Sequence, residues 1–157
     1  AGREANRTGI FTARPNEAGN AIEPFVQKAL RQSGLMTEKP LTVSGKRKTA
    51  GYPDLEVSER GIVTYLDCKT YAIGKETQSF RTFYLSPSQE PKVTQDGYHL
   101  LLAFGMTIGE RDGRRCFLPL RWALYDLFQL KVQVKYEFNA SNRDIYARLT
   151  PLASAEI

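Results

Sequence analysis

The stretch Ile62-Val63-Thr64-Tyr65-Leu66-Asp67-Cys68-Lys69-Thr70-Tyr71 constrains this chain more than any other. It is apolar and rich in β-branched and aromatic residues, which predicts a strand, yet it holds an aspartate and a lysine one residue apart. On a strand, Ile62, Leu66 and Cys68 leave one face while Val63, Tyr65, Asp67, Lys69 and Tyr71 leave the other. Burying an unpaired carboxylate or ammonium costs on the order of several kcal/mol, so Asp67 and Lys69 must face each other, a metal or water. A second strand is predicted over Leu55 to Val57, and the turn Ser58-Glu59-Arg60-Gly61 folds the two into a hairpin. That fold brings Asp54 beside Asp67 at one end of a sheet.

The chain has 157 residues, 41% of them hydrophobic, which predicts one globular domain over 1–157 with residues 1–14 as an irregular N-terminal segment. No run of about 18 apolar residues exists and the first twenty residues carry Arg3, Glu4, Arg7, Arg14 and Glu17, so neither a membrane span nor a secretory signal is expected. The expectation is a soluble, cytoplasmic protein of prokaryotic type. Cys68 and Cys116 sit in apolar contexts and read as reduced, packed thiols, too few for a structural zinc site.

A net charge of +5 favours a polyanionic partner. Lys46-Arg47-Lys48 stands just ahead of Pro53-Asp54, and Arg111, Arg114 and Arg115 crowd an expected hairpin tip at Asp112-Gly113. Either cluster alone reads more readily as ordinary solvated surface. Basic residues flanking carboxylates are what a phosphate backbone would need beside a metal.

Ala18, Ala21, Ile22, Phe25, Val26, Ala29 and Leu30 predict an amphipathic helix over 16–34, kinked or restarted at Pro24. Residues 35–50 read as a loop or edge strand, and 72–96 as a loop over the site with a short helix in its second half. His99, read as a strand-edge residue, opens a continuous apolar run to Met106, expected as a central strand covered on both faces. Arg115 to Leu118 is its short hairpin partner, after which Pro119 is expected to open a helix with Leu120, Ala123, Leu124, Leu127 and Phe128 on one face, and Trp122 reads as helix packing. Val132, Val134, Tyr136 and Phe138 alternate as a further strand.

Two carboxylates and a lysine suit phosphodiester hydrolysis. Magnesium takes oxygen ligands, one or two carboxylates with water and phosphate, which matches Asp54, Asp67 and the backbone carbonyl of Cys68. Lys69 could hold the attacking water, offset phosphate charge or act as base, and the spacing does not choose among them.

Pro53-Asp54 followed by Asp67-Cys68-Lys69 resembles the PD-(D/E)xK nuclease superfamily, over roughly Gly19 to Met106. The resemblance implies an α/β (α+β) restriction-endonuclease-like core, a mixed central β-sheet flanked by helices. It also implies a catalytic set of Asp54, Asp67 and Lys69, with Glu23, in Gly19-Asn20-Ala21-Ile22-Glu23, completing the metal site. Mg2+ is the implied cofactor, with Mn2+ as a substitute. The Asp-Cys-Lys-Thr-Tyr run and the loop after it look most like type II restriction endonucleases, which implies a homodimer cutting double-stranded DNA. By chemistry, Lys46, Arg47, Lys48, Arg81, Gln89, Lys92 and Asn142 are candidate DNA contacts. Alternatives stay open: a structure-specific or repair nuclease, a non-catalytic DNA-binding domain on the same fold, or Asp54 as a turn residue and Asp67–Lys69 as a structural ion pair.

Overall fold

The computed structural model describes residues 1–13, 17–48, 51–75 and 90–132. Two helices come first, α1 (Gly2–Thr8) and α2 (Glu17–Gln32), followed by strands β1 (Met36–Glu38), β2 (Leu55–Glu59), β3 (Ile62–Ala72), β4 (Tyr98–Arg111) and β5 (Arg114–Asp126), then a 3-10 turn over Leu127–Gln129. The strands form one sheet in the order β1-β2-β3-β4-β5. β3 and β4 run parallel and every other pair is antiparallel, so the sheet is mixed.

The hairpin predicted around the Asp-Cys-Lys run is present. Leu55 pairs with Leu66 and Glu59 with Ile62, and Arg60 and Gly61 close the turn with φ of 50° and 80°. Both central residues at positive φ fit the twist of a two-residue hairpin, which is why glycine stands at the second position. Asp112 and Gly113 close the β4–β5 hairpin in the same way, with φ of 52° and 69°.

α2 matches its amphipathic pattern, burying Ala18, Ile22 and Val26. Pro24 neither breaks nor restarts it: the helix is continuous through the proline, which sits on the exposed side with Asn20, where water can meet the carbonyl that loses its donor. With Ala5, Ile10, Leu55, Leu66, Cys68, Phe104 and Met106, these residues make one core between the helices and the sheet. Cys68 and Cys116 are buried free thiols, as expected.

Two expectations fail. The N-terminal segment is helical over Gly2–Thr8 rather than irregular. A helix this short is marginal alone, but tertiary contacts hold it: Ala5 is fully buried, Asn6 donates to the Pro119 carbonyl, and Arg111 donates to the carbonyls of Asn6 and Arg7 at its C-terminal end.

Residues 119–126 do not form a helix. They continue β5, an edge strand among the described residues, where a proline without an N–H is tolerated, and Pro119 pairs with Met106 at the register shift between Gly105 and Met106. Leu120 and Leu124 fit period two as well as helical spacing, and together with Trp122, at 66%, they are exposed instead of packing within a helix. The expected helix after 84 and the Val132–Phe138 strand lie mostly outside the described residues, and the described part, 90–97, is irregular. Among the described residues no helix is long and apolar enough to cross a membrane.

Candidate functional site

The β2–β3 hairpin places Asp54 against the second strand. Asp54 stands just before β2, and its Oδ2 accepts the backbone amide of Cys68 at 2.8 Å. Asp67 is 2% exposed and Lys69 emerges on the same side of β3, its Nζ 2.7 Å from Asp67 Oδ2. That contact is an ion pair without hydrogen-bond alignment, so Asp67 Oδ2 remains a buried oxygen with no hydrogen-bond partner. Glu23, 8% exposed on α2, receives Lys39 Nζ at 3.2 Å.

These carboxylates feel one another. Burial first, then the Asp54 charge, pushes the Asp67 carboxyl up to about 6, against the pull of Lys69 and Lys92. Burial, Asp54 and Asp67 likewise raise Glu23, against Lys39. Asp54 is thus the neighbour common to both. Among the described residues no three His, Cys, Asp or Glu side chains close around a single point as a metal-binding group, so the acids lie near one another without converging.

The donor set nevertheless fits a hard divalent cation. Asp54 and Asp67 offer carboxylate oxygens, Cys68 between Asp67 and Lys69 offers a backbone carbonyl, and Asp67 Oδ2, ion-paired to Lys69 but without a hydrogen bond, is a buried acceptor suited to a cation. Water and phosphate oxygens complete such a shell elsewhere.

The basic cluster beside the Pro53-Asp54 turn sits on a small loop. Leu41 bridges Arg47, Thr42 N–H donates to Lys46 O, and Lys46, Arg47 and Lys48 are exposed. The segment 90–92 ties this loop toward the acids. Val43 N–H donates to Pro91 O at 2.9 Å and the Ser44 hydroxyl to Glu90 Oε2 at 2.6 Å. Lys92, proposed from its chemistry as a DNA contact, is instead buried, donating to the carbonyls of Gly51 at 2.6 Å and Pro53 at 2.9 Å. Burial lowers its pKa, while Asp54, Glu23 and Asp67 oppose the change. Arg81, Gln89 and Asn142 lie outside the described residues.

An aromatic wall adjoins the turn. The Tyr52 hydroxyl lies 2.7 Å from His99 Nδ1, their rings stack, and His99 also tilts against Tyr65. The last residue is fully buried, and its hydroxyl accepts the amides of Thr94 and Gln95. Lys39, Lys92 and this wall carry no motif. Only the folded loops bring them to the acids.

A mixed five-stranded sheet with helices over one face and an acid–lysine cluster on its central hairpin is the core of a restriction-endonuclease-like protein. The chain belongs to the Type II restriction enzyme MjaV family, which it matches over residues 1–149. It is similar to a curated protein of Methanocaldococcus jannaschii, "Type II restriction enzyme MjaV", at 38% identity over 151 residues. That alignment takes in 90% of this chain and 64% of the relative, so the chain spans less than two thirds of the relative's length. No solved structure matches the chain.

Proposed function

We propose that this chain carries the catalytic centre of a type II restriction endonuclease that hydrolyses phosphodiester bonds of double-stranded DNA with Mg2+, Mn2+ serving as a substitute. The observation that carries the reading is the Asp54–Cys68 hydrogen bond, which sets one carboxylate against the Asp67-Cys68-Lys69 run of the PD-(D/E)xK pattern.

Asp54, Asp67 and the Cys68 carbonyl are the ligands in this reading, with Glu23 as an accessory carboxylate. The cation supplies a more acidic water and compensation for charge growing on the phosphate. The protein's own residues do the rest. Asp67 and Asp54 hold oxygens in a site partly withdrawn from water, and Asp67 Oδ2 meets the Lys69 ammonium without a hydrogen bond. Lys69, ion-paired to Asp67 yet half exposed, reaches from the ligand set toward solvent, where it offsets phosphate charge or positions the attacking water. Lys46, Arg47 and Lys48, exposed on a loop tied to the same turn, hold the DNA backbone. Cutting both strands of a two-fold site calls for a homodimer.

Plasmid digestion tests this reading. The full chain is expected to give discrete fragments with Mg2+, none with EDTA, and none from Asp54→Ala or Lys69→Ala protein. A smear would favour a nonspecific or repair nuclease, and equal cutting by the substituted proteins would remove the site assignment.

A further inference from the structure

Lys92 is 4% exposed, a position lysine seldom occupies without a partner. Its ammonium spends two donors on the carbonyls of Gly51 and Pro53, which bracket Tyr52 and lead directly into Asp54. Its chain neighbours, Pro91 and Glu90, are bonded to Val43 and Ser44 of the basic loop. Residues 90–92 therefore form a strap with the basic loop at one end and the Asp54 turn at the other.

We infer that Lys92 is a positioning residue, not a DNA contact: its ammonium fixes the Gly51–Asp54 turn so that the Asp54 carboxylate meets the Cys68 amide and stands beside Asp67. The inference rests on the proposed reading of Asp54 as a metal ligand. A phosphate contact would require Nζ to leave both carbonyls, stranding the buried Pro53 acceptor, and to emerge from a site almost closed to solvent. The carboxylates of Asp54, Glu23 and Asp67 supply the compensating charge that makes a buried ammonium tolerable.

The test compares Lys92→Met, Lys92→Gln and Asp54→Ala forms of the 157-residue chain with the unsubstituted chain. Cleavage is read at saturating Mg2+ and duplex DNA affinity as a function of salt in Ca2+. Lys92→Met is expected to cut about tenfold more slowly or worse, the usual scale for losing a group that orients a ligand. Lys92→Gln, which keeps an amide donor without the charge, is expected to recover part of that loss. The slope of affinity against salt should be the same in all the Lys92 proteins and the parent. A slope shallower by about one would make Lys92 a phosphate contact and overturn the inference. Cleavage by Lys92→Met within threefold of the parent would overturn it as well. Should Lys92→Met fail to fold by circular dichroism, Lys92→Gln decides: slower cutting with an unchanged slope supports positioning, and either a shallower slope or full cutting refutes it. Asp54→Ala separates the two levels. If it cuts like the parent, the site reading itself has failed, whereas an inactive Asp54→Ala beside a fully active Lys92→Met sinks the Lys92 inference alone.

Discussion

Asp54, just before β2, and Asp67, on β3, belong to one hairpin and are joined through the Cys68 amide that Asp54 accepts at 2.8 Å, and the charge of the first raises the proton affinity of the second. A fold gains no stability from holding like charges this way. Acids whose proton affinities are perturbed in this way mark a candidate functional position.

The consequence for stability has a definite sign. The Asp67 carboxyl sits at about 6 in the folded chain against 3.8 ordinarily, so its contribution is fully present below pH 3.8 and lost as pH rises through about 6. Glu23 is raised too and acts in the same direction. In EDTA, Asp67→Asn protein is expected to be more stable than the parent at pH 7 by about 1–3 kcal/mol, and the gap should close toward pH 4. Thermal unfolding of both proteins between pH 4 and 7 measures this, and a gap that does not vary with pH would contradict it.

A divalent cation should remove that strain. Ca2+ or Mn2+ at about a hundred times its dissociation constant is expected to stabilise the parent by about 2.7 kcal/mol. Asp54→Ala protein should gain far less. Equal gains in both would place the cation elsewhere.

How much of this was legible in the sequence follows from how local each feature is. The hairpin could be read because alternation, a turn glycine and two charged residues lie within one stretch, and the register of Leu55 with Leu66 then places Asp54 without further information. The helix that carries Glu23 was legible from its apolar stripe, whereas Glu23 itself was singled out only by the resemblance of Gly19-Asn20-Ala21-Ile22-Glu23 to the nuclease superfamily. The second half of β5 is not distinguishable from a helix in the sequence because Leu120 and Leu124 satisfy both periods, and nothing local says that Pro119 lies at a register shift. α1 was missed since its support comes from Arg111 and Pro119, more than a hundred residues away. Lys92 resembled any other surface lysine, because its acceptors at Gly51 and Pro53 come from a distant turn.

The basic loop makes a separate prediction. Arg47→Ala should leave the unfolding temperature unchanged, since the side chain is exposed and its bridge to Leu41 is made by backbone. DNA affinity should fall, with a salt slope shallower by about one. An unchanged slope in salt titrations would remove this loop from the interface.

Gly97 tests the packing behind the site. A Cβ there would lie 2.8 Å from the Val63 carbonyl oxygen and 3.3 Å from the Tyr65 ring, and backbone cannot move aside as a flexible side chain does. Gly97→Ala is expected to cost about 1–3 kcal/mol in denaturant unfolding. Tyr65→Phe, which takes the shared acceptor from the Thr94 and Gln95 amides, should cost a similar amount, about 1–3 kcal/mol. Loss of less than about 0.5 kcal/mol in either would mean the segment 94–97 packs differently.

The position of a bound cation is the most direct measurement. Crystals of the full chain grown with Mn2+ and measured for anomalous scattering should show a peak at about 2.1–2.2 Å from oxygens of both Asp54 and Asp67, with the Cys68 carbonyl in the same shell. A well-occupied peak away from these residues, or none at saturating Mn2+, would contradict the account.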